Sequence, residues 1–96
     1  MDINKIINLE DTITQKKGLD STDMDGEIVL MDIERGKYYS FNEVGSRIWD
    51  IIKKPLLVKE IILILLKEFE VDEKTCRNCV FKFIGRIYND ELISIS

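Results

Sequence analysis

A chain of 96 residues makes one domain with a modest core, and is too short for a large enclosed active site. Its 45% hydrophobic and 33% charged residues argue against disorder, and a net charge of −4 gives no general attraction to nucleic-acid phosphates. Histidine is absent, which removes the commonest general base and metal ligand.

The chain has no run of about 18 apolar residues for a membrane span, and its N-terminus lacks a signal peptide's charged-then-apolar order. A cytoplasmic protein without a membrane partner is therefore expected. Residues 1–11 are polar with Ile3, Ile6, Ile7 and Leu9 interspersed, and read either as an arm that docks or as a frayed end of the single domain spanning 1–96. Thr12–Lys17 alternates weakly and ends at Gly18, which predicts a first strand. Gly18–Gly26, rich in Gly, Asp and Ser, predicts a loop.

Glu27–Ile33 is a second strand, Glu34-Arg35-Gly36 a turn whose Gly accepts a positive φ, and Lys37–Phe41 a third strand. The second strand carries Ile28 and Leu30 on one side, and Val29, Met31 and Ile33 on the other. A hairpin with one face in water would alternate apolar with polar, so both faces of this one are expected to meet something. Asn42 caps a helix over Glu43–Lys53 with apolar positions at Val44, Ile48, Ile51 and Ile52.

Pro55 stops that helix. A second follows over Val58–Phe69 and is apolar almost all round, so it is expected to be buried on most of its surface. Leu57 stands where a Ser, Thr or Asp cap is usual, and packing is expected to hold that end. Asp72 caps a third helix running to about Asn89, followed by the mostly apolar run Leu92–Ile95. With Val80 at zero and about 100° per residue, Cys76, Phe83, Ile84 and Ile87 fall within about 60° and form a core stripe. Arg77, Phe81 and Tyr88 lie on one shoulder and Cys79 on the other. The apolar arc is roughly twice what one core needs, which leaves part of the helix for another surface.

The layout predicts an α+β fold: a winged helix-turn-helix with a three-stranded antiparallel sheet followed by three helices. Cys76-Arg77-Asn78-Cys79 is a C-x-x-C, but no second cysteine pair or histidine completes a zinc set, and no βαβ frame precedes it, so both cysteines read as small apolar residues. Tyr39, Phe41 and Phe83 read as core, whereas Tyr38, Phe81 and Tyr88 suit partner contact. The basic residues of helix three spread around it as a solvated face, and Asp23 and Asp25 belong to the loop. No nucleophile–base pair, metal set or phosphate loop is present, so neither an enzyme nor a bound cofactor is expected.

The strand ending in VLMD, the turn at Gly36, then Tyr39, Phe41-Asn42, Gly45, Ile48-Trp49, Val58 and Ile61-Ile62 together resemble the PqqD-like family of leader-peptide recognition elements. Val80, Phe83-Ile84, Ile87 and Leu92-Ile93 fit the family's last helix and ending, so the resemblance covers about residues 12–95. Leu57 and Glu91 depart from it, Glu91 standing where the family usually has Gly.

The resemblance is greatest to small stand-alone proteins of lasso-peptide pathways. It implies capture of the leader of a ribosomal precursor peptide as an added strand, and its presentation to a separate transglutaminase-like protease and a cyclase. The implied binding residues are Lys37, Tyr38, Tyr39, Ser40 and Phe41 of the third strand, with Cys76, Val80 and Phe83 as anchors on helix three. Phe81 is the runner-up anchor, and the place of Arg77 at the shoulder of the apolar arc, apart from the resemblance, predicts a rim cation facing an acidic leader residue. The rival reading is a winged-helix DNA-binding regulator, which the net charge and the apolar surface of helix three disfavour.

Overall fold

The computed structural model describes residues 6–96. The described elements run β1 (Thr12–Gln15), β2 (Leu19–Met24), β3 (Glu27–Asp32), β4 (Lys37–Ser40), α1 (Glu43–Ile51), β5 (Leu56–Leu57), α2 (Val58–Glu68), α3 (Glu73–Asn89) and β6 (Ile93–Ile95). The fold is α+β, with antiparallel three-stranded sheets and three helices, as the sequence predicts. The membership of the sheets differs from that prediction.

One sheet has the order β2-β3-β4 and the other β5-β1-β6. The stretch expected to be a loop is therefore a strand: β2 pairs with β3 in continuous register from Leu19↔Asp32 to Met24↔Glu27. Asp25 and Gly26, at φ 59° and 88°, form the two-residue link, and left-handed φ at both positions is the hairpin turn that matches the twist of its strands. Backbone pairing supplies the ladder, so the Asp, Ser and Thr side chains of β2 stay exposed without disrupting it. The expected first strand belongs to the other sheet, where β1 pairs with β5 and with β6, the latter formed from the terminal apolar run.

Each helix begins on an identifiable cap. Asn42 Oδ1 accepts from Gly45 N–H at 2.8 Å, and Asp72 accepts from Thr75 N–H at 3.1 Å. At α2 the cap side chain is the apolar Leu57, and backbone fills the gap. Val58 N–H donates to Asp11 O at 3.0 Å and Lys59 N–H to Leu9 O at 3.1 Å. Glu60 in turn accepts from Leu57 N–H at 3.0 Å. Residues 7–11 thus lie against the start of α2, with Ile7 and Leu9 packed on the core.

The core joins all three helices to both sheets through fully buried Ile13, Leu30, Ile48, Ile61, Ile84 and Ile93. Ser46 fixes α1 to the β2-β3-β4 sheet. Its buried hydroxyl accepts from Ile28 N–H at 2.7 Å and donates to Phe41 O at 3.1 Å. That clamp sets where the end of β4 lies relative to the first turn of α1.

Candidate functional site

β4 is hydrogen-bonded to β3 alone, so among the described residues its other edge is open. Phe41 N–H donates to Ile28 O at 2.9 Å, and the register pairs Leu30 with Tyr39 and Asp32 with Lys37. Antiparallel hydrogen bonding alternates along a strand, so Lys37, Tyr39 and Phe41 turn their backbone groups toward β3. Tyr38 and Ser40 turn theirs outward, presenting two N–H and two C=O groups in the geometry that accepts another strand.

The side chains alternate in the perpendicular sense. Phe41 is buried and Tyr39 half-buried on the core face, while Tyr38 is 70% exposed and Ser40 exposed on the outer face. Burial, reinforced by the carboxylates of Asp90 and Asp32, pushes the Tyr39 phenol above its ordinary value. Val29 and Met31 share the outer face with Tyr38 and are only half-buried, so the apolar second face expected to meet something is left open.

Where β4 ends, a cleft of about 450 Å³ opens between the first turn of α1 and the middle of α3. Val44, Gly45, Ile48, Cys79 and Phe83 make its apolar surface, and Asn42, Lys82 and Arg86 its polar rim. The Phe83 ring meets the Phe41 ring edge-on with centroids 5.1 Å apart, in the arrangement aromatic quadrupoles favour. Gly45 is necessary to this packing, because a Cβ there would lie 2.8 Å from Phe83 Cε1. A smaller hollow of about 250 Å³, lined by Val44, Leu65, Phe69, Glu70, Val71, Cys76 and Cys79, adjoins it through the shared Val44 and Cys79.

The residues predicted for the site divide accordingly. Lys37, Tyr38 and Ser40 are exposed on the open strand, and Phe83 lines the cleft beside it. Phe41, Cys76 and Val80 are 2%, 3% and 0% exposed, so they support the site from within the core. Two of the predicted residues lie away from this cleft. Arg77 lies across α3 from the cleft, in a depression with Leu9, Ile62 and Leu66, and forms an ion pair with Glu73 at 3.7 Å. Phe81 sits on that same side with Lys74, Arg77 and Asn78.

The reason is the way α3 crosses the molecule: its Cys79–Phe83 shoulder faces α1 and the end of β4, and its opposite shoulder faces the chain's own N-terminal segment. Ile7 Cδ1 lies 3.9 Å from the place a Cβ on Gly85 would take. Part of the excess apolar arc is therefore covered from within the protein. The cleft residues Val44, Gly45, Ile48, Lys82 and Arg86 were not singled out from sequence as binding residues. Cys79 was recognised as a shoulder residue, and 100° per residue puts Lys82, Phe83 and Arg86 on its side of the helix.

The chemistry of the remaining groups is structural. Burial pushes the Cys76 thiol up, away from the reactive thiolate, and its Sγ lies 3.9 Å from Ile62 O. Among the described residues no group of three or more His, Cys, Asp or Glu is arranged to hold a metal ion. A further depression near Asp23, Glu43 and Glu68 contains Arg47, which forms two hydrogen bonds of 2.8 Å to Glu68 and holds that carboxyl below its usual range. No described helix is long and apolar enough to cross a membrane.

Residues 27–93, more than half of the chain, match the family model described as coenzyme PQQ synthesis protein D (PqqD). No curated protein matches the chain. Among solved structures, one described as TbiB1 in complex with the TbiA(beta) leader peptide is similar, with a TM-score of 0.77 and 28% identity over 84% of this chain and 94% of that one. A second, described as lasso peptide synthetase B1 complexed with the leader peptide, has a TM-score of 0.74 over 85% of this chain and 96% of that one. At 15% identity this second likeness is one of fold.

Proposed function

Because the chain belongs to the PqqD family, we propose that it is a non-catalytic peptide-binding protein that captures the leader of a ribosomal precursor as an added strand on β4. The observation that carries this reading is the open edge of β4, with outward Tyr38 and Ser40 backbone groups, on a strand that ends two residues before Asn42 on the rim of the cleft between α1 and α3. Main-chain bonds to the edge supply affinity with little sequence information, and the cleft supplies selection among side chains. Support comes also from the similar structure that holds a leader peptide.

Four backbone hydrogen bonds at ~1 kcal/mol each and two apolar anchors at ~2 kcal/mol each, set against ~2–5 kcal/mol for ordering the peptide, give a Kd of tens of micromolar or weaker before rim contacts. Affinity on this scale suits a module that presents a precursor and then releases it. In this reading the peptide attached to the leader is handed to separate processing enzymes, a transglutaminase-like protease and a cyclase. Duplex DNA is a poorer occupant: Lys74 and Arg77 lie on one shoulder of α3 and Lys82 and Arg86 on the other, leaving no continuous cationic face.

Amide exchange tests the strand-addition mechanism, using a peptide selected from a displayed random library for binding to the protein. Bound peptide is expected to slow exchange at Tyr38 and Ser40 strongly, while Tyr39 and Phe41, already turned toward β3, change little. Binding with unchanged exchange at both outward amides rules out addition to β4.

A further inference from the structure

Among the described basic residues, five are answered by carboxylates, while Lys16, Lys17, Lys37, Lys54, Lys67 and Lys74 take part in none of the described ion pairs. Arg35 pairs with Glu91 at 2.8 Å and Arg47 with Glu68 at 2.8 Å, while Lys59 pairs with Glu10 at 2.9 Å. Lys53 pairs with Asp50 at 3.0 Å and Arg77 with Glu73 at 3.7 Å. Lys82 and Arg86, the two cations on the cleft rim, take part in none of the described ion pairs, and no Asp or Glu lines the cleft with them. They stand four residues apart on one helix face, where like charges are mildly destabilising. The negative end of the α3 dipole favours Arg86 in the last turn, but its influence fades before Lys82. In a chain with 18 acidic and 14 basic residues, an unneutralised cationic pair beside an apolar cleft is a local charge that a ligand can complement.

We propose that the cleft recognises an acidic peptide motif: an apolar side chain seated on Val44, Cys79 and Phe83, with an Asp or Glu two positions away held by Lys82 and Arg86. The spacing follows from the two backbones. An extended peptide returns to the same face every second residue, an advance of about 6.5 Å, and α3 advances about 6.0 Å over the four residues from Lys82 to Arg86. An anchor in the cleft and a carboxylate at the rim therefore fall on the same side of the added strand. The inference rests on the peptide-binding reading above and specifies the chemistry of its ligand.

The test is parallel selection of an mRNA-displayed random 15-residue peptide library on the wild-type protein and on a Lys82→Glu/Arg86→Glu variant. Both residues are exposed, so the variant keeps its fold, and its melting temperature is expected to match the wild type's. Wild-type selections are expected to enrich Asp or Glu two positions from an apolar residue, and the variant to exchange that preference for Lys or Arg. An individual selected peptide should lose about three- to tenfold in affinity when its acid is replaced by the amide, at low salt, and lose nothing on the variant. Selected peptides that protect Tyr38 and Ser40 but show no acidic enrichment overturn the inference and leave the peptide-binding reading standing. Failure of the wild type to select any peptide overturns both.

Discussion

Glu91 is the residue whose conformation most clearly conflicts with its chemistry. It sits at φ 61°, directly after the C-cap Asp90 of α3, with Glu91 N–H bonded to Tyr88 O and Leu92 N–H to Ile87 O at 2.9 Å each. That pair of bonds closes a Schellman motif, whose left-handed position is normally Gly because any Cβ there is strained by about 1–2 kcal/mol. Glu91 recovers part of this through its ion pair with Arg35, a contact exposed enough to contribute ~0.2–1 kcal/mol. Glu91→Gly is therefore expected to stabilise the protein by about 0.5 kcal/mol or more, read as a higher urea midpoint at unchanged slope. A lower midpoint means that the ion pair outweighs the strain.

Gly45 presents the opposite case, a glycine of ordinary helical conformation required by a neighbour. A methyl at Gly45 would press on Phe83 Cε1 at 2.8 Å and on the cap oxygen Asn42 Oδ1 at 3.3 Å. Gly45→Ala is expected to cost about 1–3 kcal/mol by overpacking, despite the better helix propensity of Ala. Adding Phe83→Leu removes the obstructing ring. The double variant should be more stable than the two single losses predict, by about 0.5 kcal/mol or more in an urea-melt cycle. Additive losses would mean that Phe83 is not what Gly45 accommodates.

At the scale of elements, two edge strands of one sheet have different fates. Among the described residues β2 is open on its outer side, and its run of Asp20, Ser21, Thr22 and Asp23 is exposed, a composition that discourages a stray strand from pairing. β4 is open too, but it leads into an apolar cleft, so an added strand there gains side-chain burial as well as backbone bonds. The start of α2 shows an element completed by a remote segment: the Val58 and Lys59 N–H groups are satisfied by the Asp11 and Leu9 carbonyls. Deleting residues 1–11 removes these two acceptors together with the packing of Ile7 and Leu9. The expected loss is about 2–4 kcal/mol, or a fall in Tm of about 10 °C or more by calorimetry. An unchanged Tm would mean that water caps α2 equally well.

Across the whole molecule, the β5-β1-β6 sheet joins distant parts of the chain. Thr12 and Ser96 exchange hydrogen bonds at 2.9 and 3.0 Å, and Ile93, 1% exposed, packs in the common core. This sheet is remote in sequence from β4, yet it holds the end of α3 and hence the cleft. Ile93→Ala is expected to cost about 2–4 kcal/mol of global stability. Where the variant is still folded, peptide affinity should stay within about twofold. A large loss of affinity without a change in stability would place Ile93 at the binding surface and contradict its burial.

The sequence by itself determined what depends on neighbours along the chain. Turn chemistry at Gly36, caps at Asn42 and Asp72, and the 3.6-residue periodicity of three helices specified those elements, because each is set by interactions spanning a few residues. β2 was legible in principle, since Asp25-Gly26 is a hairpin turn signal, but its polar side chains obscured a strand sustained by backbone pairing. Only the tertiary structure decided which strands share a sheet, that the N-terminal segment caps α2, and which shoulder of α3 meets the end of β4. Periodicity defines the angle between Phe81 and Phe83 around α3 but not the direction in which either points. That direction follows from how α3 packs against α2 and β6, with Phe83 on Phe41 and Gly45 and Ile7 beside Gly85.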